Sequence, residues 1–170
     1  MEILEGIRTR KSIRRYTGKI GSEEIDTLLR AGFAAPSAHN KRPWEFLVIR
    51  DEKIIDDICK IHKYARFLKD AGTGILVLGD SDKAFNRDFL IQDCSAALQN
   101  ILLAAHGMDL GATWCGVYGG GDEIYNGFVD YFRLPANIIP VGLIVVGKKE
   151  IREMTERNRY DEDKIHFDRW

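Results

Sequence analysis

No stretch of this chain approaches the roughly twenty uninterrupted apolar residues that a bilayer span needs. The opening Met1 to Arg15 is charged where a signal segment would be apolar, so the reading is a cytoplasmic protein without membrane contact. Cysteine is scarce: Cys59, Cys94 and Cys115 stand far apart, with no C-x-x-C and no Cys/His ligand spacing. Neither a disulfide framework nor a metal site follows, and all three read as small core residues. Net charge is almost nil at −1, whereas a nucleic-acid surface would need a net basic face to displace counterions. Also missing are a G-x-G-x-x-G after a strand, a P-loop lysine motif, a G-x-S-x-G elbow and an H-E-x-x-H pair. There is no internal repeat and no Pro/Ser-rich linker, so 170 residues with 45% apolar content read as one domain.

What is present alternates between helical and strand patterns. Ser22, Glu23 and Glu24 suit a helix start, with Ile25, Leu28, Leu29 and Phe33 on its apolar face and Pro36 ending it. Trp44 to Arg50 is rich in β-formers without clean alternation, as in a strand buried on both faces, and Lys53 to Leu68 follows as an amphipathic helix. The glycine-bounded apolar runs Gly74 to Gly79 and Val141 to Val146 read as central strands. Between them, Asn86 to Gly107 carries the longest helical stripe, and its small residues, Ala104 and Ala105 among them, would let another helix approach at a dimer seam. Ala112 to Tyr118 is a strand or a buried loop, and a helix beginning near Asp122 should stop before Pro135. The tail after Lys149 is charged yet holds Tyr160, Ile165, Phe167 and Trp170, too many large apolar groups for a solvated end. Helices and buried strands in this order give a sheet covered by helices, of α/β or α+β class.

Two basic clusters mark the chain ends: Arg8, Arg10, Lys11, Arg14 and Arg15 at one, and Lys148, Lys149, Arg152, Arg157 and Arg159 at the other. In an extended segment Arg10, Ser12 and Arg14 share a face, and two guanidinium forks around a hydroxyl suit a phosphate monoester. By spacing alone, a solvated basic segment is the plainer account. The loop from Ala35 to Glu45, fixed by Pro36 and Pro43, can present backbone groups and the Asn40 amide to a planar heterocycle, or simply join helix to strand. Gly119, Gly120 and Gly121 invite a phosphate-loop reading, but no Lys-Ser or Lys-Thr pair follows, and a flexible turn is preferred.

Taken in order, these pieces resemble one family. Arg10-Lys11-Ser12-Ile13-Arg14 before Tyr16, then Pro36-Ser37-Ala38-His39-Asn40 leading into Arg42-Pro43-Trp44, resembles the opening of the FMN-dependent nitroreductases. The likeness continues through Asp93, Ala96, Ala97, Gln99 and Asn100, then Leu110 to Tyr118, Leu134-Pro135 and Ile139-Pro140. It implies an α+β, nitroreductase-like fold with a central, mostly antiparallel sheet flanked by helices in an intertwined homodimer. It also implies one domain over 1–170, with 149–170 as a C-terminal extension packing on the partner subunit.

The same resemblance assigns the FMN phosphate and ribityl chain to Arg10, Ser12 and Arg14 with Lys11 nearby. Pro36, Ser37, Ala38 and Asn40 would reach the flavin from the other subunit. Trp114, Cys115 and Gly116 would lie along the ring near N5, where a backbone N–H stabilises charge on reduction. Arg157 and Arg159 would return to the phosphate, so that both basic ends converge on one dianion. The implied activity is ping-pong transfer from NADH or NADPH to a nitroaromatic, quinone or other small-molecule acceptor, without a catalytic acid or base. Three alternatives remain open: another flavin reaction such as dehalogenation or flavin cleavage, a flavin sensor without turnover, and a dimer binding some other phosphorylated molecule. The chain departs from the family where Lys148 and Lys149 replace a common aromatic-proline pair after Gly147.

Overall fold

The computed structural model describes residues 1–150 and 159–170. In chain order its elements are α1 (Ile3–Thr9), β1 (Tyr16–Gly18), α2 (Ser22–Phe33), β2 (Trp44–Ile49), α3 (Glu52–Ile61), α4 (Leu68–Ala71), β3 (Gly74–Asp80), α5 (Arg87–Gly107), β4 (Leu110–Gly116), α6 (Asp122–Phe132) and β5 (Ile138–Lys149). All strand pairings are antiparallel. The long β5 carries β3 on one edge and β4 on the other, β2 lies beyond β3, and β1 pairs with β5 at Lys148 and Lys149.

The two apolar runs earn their central places by burying both faces. Along β3, Ile75 and Val77 enter one core beneath α2 and α5, while Leu76 and Leu78 enter another beneath α3, α4 and α6. Each such fully buried aliphatic side chain contributes about 1.5–3 kcal/mol. Helix α5 starts where Asn86 Oδ1 accepts the Phe89 N–H at 2.9 Å. It then runs through the first core with Leu90, Cys94, Ala97, Leu98, Ile101, Leu102 and Ala105 buried. All three cysteines are free and buried, as expected. The register of β3 on β5 shifts between Val77 and Leu78, leaving Val141 as a bulge. Its carbonyl is thereby turned to accept the N–H groups of Val117 and Tyr118, which fixes the exit of β4.

Several expectations change. The helix expected over Lys53 to Leu68 ends at Ile61, because His62 leaves helical dihedrals (φ −116°, ψ 83°) and turns its ring inward; a 3-10 turn at Lys63–Ala65 and the short α4 follow. β2 does bury both faces in part, Phe46 and Val48 on one core and Leu47 and Ile49 on the other, but it lies at the sheet edge with Glu45 exposed. The charged opening forms α1, whose Ile3, Leu4 and Ile7 face outward. Ala105 sits wholly in the core of its own chain, so it cannot line a seam between subunits; Ala104 is only half-buried. Two large aromatic residues of 159–170 stand in solvent, Trp170 at 101% exposure and Phe167 at 85%. Lys148 and Lys149 pair with Glu24 at 2.8 Å and Asp109 at 2.5 Å.

Candidate active site

The Arg10–Arg14 segment is extended and held against β4. The Ile13 N–H donates to the Ala112 carbonyl at 3.0 Å, and the Ile13 carbonyl accepts from the hydroxyls of Thr113 and Tyr16. The Ile13 side chain fills the space over Gly111, where a Cβ would come within 2.8 Å of it. Ser12 and Arg14, on the opposite face, are therefore exposed.

The two arginines mark the two ends of this stretch. Arg10, half-buried at the end of α1, has the Arg159 charge and the His106 imidazole as neighbours. Burial and then the Arg159 charge hold its guanidinium below its usual value. Arg159 therefore lies within electrostatic reach of Arg10, while Arg157 lies outside the described residues. Among the described residues no carboxylate pairs with Arg10, Lys11, Arg14 or Arg159. Like charges held together without counter-charge form a ready anion site. Arg14, at the other end, borders a cavity of about 560 Å³ whose walls include His62, Thr113, Trp114, Cys115, Gly116 and Tyr118.

β4 pairs with β5 along one edge only. Alternation turns the peptide groups of Ala112, Trp114 and Gly116 to the other edge, where the Ala112 and Gly116 carbonyls accept from Ile13 N–H and His62. That edge offers backbone donors and acceptors to a planar ligand. Trp114, 36% exposed, borders this cavity and a smaller one of about 270 Å³ towards α5. Cys115 instead points into the second core, and burial pushes its thiol up to about 11 against the pull of Arg14. It is not a nucleophile at neutral pH.

The Pro36–Asn40 loop does not line the cavity of its own chain. The Ala38 N–H donates to Asp93 Oδ1 on α5 at 2.9 Å, and Ser37 Oγ accepts the Arg42 N–H at 2.8 Å. His39 stacks on Phe85 with centroids 4.3 Å apart. His39, Asn40 and Arg42 all take positive φ, a strained run that these bonds hold in place. Pro36 and Asn40 are exposed, and Ser37 and Ala38 half-buried.

Two buried histidines, His62 and His106, belong to no motif in the sequence. His62 donates from Nε2 to the Gly116 carbonyl at 3.0 Å, packs edge-on against Phe128, and leaves Nδ1 buried without a partner. His106 Nε2 lies 2.8 Å from Thr9 Oγ1, whose proton goes to the Glu5 carbonyl, so the histidine is the donor. That bond ties α5 to the residue before Arg10. A lone histidine at a helix end carries no sequence signal for either role. Asp93 does, as a carboxylate set in the apolar stripe between Leu90 and Ala97.

The sequence model of the Nitroreductase family matches residues 7–63 and 60–148. A protein of Methanothermobacter thermautotrophicus, named as a candidate NADH dehydrogenase/NAD(P)H nitroreductase, is 42% identical over all of this chain and 88% of its own length. A crystal structure of a similarly named protein from Parabacteroides distasonis is 41% identical, with a TM-score of 0.92 over 99% of this chain and 98% of that one. A candidate nitroreductase of Desulfovibrio desulfuricans, solved in complex with FMN, is 34% identical, with a TM-score of 0.85 over 98% and 97% of the two chains.

Proposed function

Because the chain belongs to the nitroreductase family, we propose that it is an FMN-dependent NAD(P)H oxidoreductase of the cytoplasm, working as a homodimer on nitroaromatics, quinones or similar acceptors in a ping-pong cycle. The relative solved with FMN supports the cofactor, and the NAD(P)H in the relatives' names supports the donor. The observation that carries the reading is the open edge of β4, with uncountered arginines at one end and a ring-sized cavity at the other.

The residues fit that cofactor. Arg10 and Arg159, with Ser12 and Lys11 beside them and Arg157 following from the family pattern, would hold the phosphate, because a dianion relieves their mutual repulsion. Arg14 would reach the ribityl chain and ring edge from the cavity wall. Trp114, Cys115 and Gly116 would run along the ring, the outward N–H groups of Trp114 and Gly116 stabilising negative charge there. Pro36, Ser37, Ala38 and Asn40 would serve the cavity of a second copy, which is why they are turned from their own. When bound, FMN supplies the two-electron chemistry, and the protein binds, orients and shields it. No side chain is assigned as general acid or base.

An absorption spectrum of the purified protein, then anaerobic titration with NADH and NADPH and reoxidation by a quinone, tests the activity. Bleaching and recovery are expected; a colourless protein that refuses FMN would overturn the reading, and a yellow one that no nicotinamide bleaches would be a sensor. Arg10→Ala and Arg14→Ala should each weaken FMN binding by about tenfold or more, the loss of a charged hydrogen bond, with circular dichroism unchanged. Undiminished flavin retention would contradict the phosphate and ribityl assignments.

A further inference from the structure

We infer that a second cavity, beside the first and bordered by Arg87, Tyr118, Tyr125 and Asp122, receives the adenosine-diphosphate end of the nicotinamide donor and selects NADH over NADPH. The inference rests on the oxidoreductase reading and adds to it the identity of the donor. This cavity, of about 600 Å³, shares Tyr118 and Gly119 with the one at the edge of β4, so the two lie side by side. A dinucleotide with its nicotinamide in the first part has its other half in the second.

The chemistry of the walls matches that half. Tyr118 and Tyr125 meet edge-to-face, with centroids 6.2 Å apart, and present partly exposed rings to a purine. The Arg87 guanidinium stands over the Tyr118 ring at 5.8 Å, on the wall of the second cavity, where it would meet the pyrophosphate. Among the described residues it has no carboxylate partner. Gly119 and Gly121 take positive φ (73° and 103°), and the space where a Cβ would stand is open at both, so a phosphate can approach bare backbone there. The glycine run that carries no P-loop lysine thus becomes a floor for the pyrophosphate. Asp122 brings an exposed carboxylate to the second cavity alone. A carboxylate accepts hydrogen bonds from ribose hydroxyls and repels a 2′-phosphate, which sets the preference.

Isothermal titration of the flavin-loaded protein with ADP-ribose and with 2′-phospho-ADP-ribose tests this apart from turnover, alongside kcat/KM for both donors. ADP-ribose should bind about tenfold more tightly than its 2′-phosphate, and NADH should be preferred to a similar degree. Arg87→Ala should weaken ADP-ribose about tenfold, and Asp122→Asn should narrow the gap between the two ligands. Absence of ADP-ribose binding, tighter binding of the 2′-phosphate, or indifference to both substitutions would overturn the inference. Each of these outcomes is compatible with a yellow protein that nicotinamides still bleach, so failure here is distinct from failure of the oxidoreductase reading.

Discussion

A single imidazole, His62, holds the end of β4 where the proposed ring site lies. Its Nε2–H is committed to the Gly116 carbonyl, and the bare Nδ1 has no buried acceptor to receive a second proton. Burial lowers its pKa, and that of His106 as well, where Lys149 and Arg10 add to the effect and Asp109 and Glu5 oppose it. The unfolded chain, with histidines near about 6.5, therefore binds more protons than the native one just below that pH. Stability from these groups is full above about pH 6.5 and is lost as pH falls towards their depressed native values. Urea unfolding at pH 7.5 and 5.5 should show a loss of stability for the wild type that is smaller in His62→Phe, a variant that keeps an aromatic ring and removes the titration. An equal loss in the variant would remove His62 from this account. The arginines of the proposed site could be singled out because their spacing and family likeness are local. His62 was not, since its role depends on a carbonyl fifty-four residues away that only the packed structure brings to it.

The elements that sequence made plain are those whose signal is contained within them. β3 is a bounded apolar run, α5 a long stripe behind an asparagine cap, and both fall where expected. The break after α3 was hidden because the apolar pattern of Lys53 to Leu68 continues across it, first as helix and then as turn. The place of β2 at an edge was equally hidden, since strand order is a property of the sheet rather than of the strand. Gly147 shows how tightly β5 is built in. A Cβ there would come within 2.9 Å of both the Ala71 Cα and the Gly18 carbonyl, main-chain atoms that cannot swing aside. Gly147→Ala should therefore cost about 1–3 kcal/mol in chemical denaturation, as overpacking does; a neutral result would mean that α4 and β1 yield more readily than their pairing suggests.

For the whole molecule, both cores and the sheet, as far as the described residues show them, are built from residues 1–150, and the segment 159–170 adds little to them. Truncation after Glu150 should leave the far-ultraviolet circular dichroism and a cooperative melt intact. It should weaken FMN binding by about tenfold, through loss of Arg159, and shift sedimentation towards monomer. Unchanged flavin affinity would show that the second basic end has no part in the site. The outward-facing Phe167 and Trp170 of that tail were legible as large apolar groups in a charged end, and both remain exposed.

The exposed margin of β4 carries one more consequence. Unpaired strand margins are where proteins recruit one another into aggregates, and this one is bounded by Ile13 on one side and His62 on the other. What remains bare from Trp114 towards Gly116 is about 7 Å of backbone, shorter than an ordinary strand requires for annealing. The same short gap that would leave backbone groups for a flat guest is too brief to template a fibril.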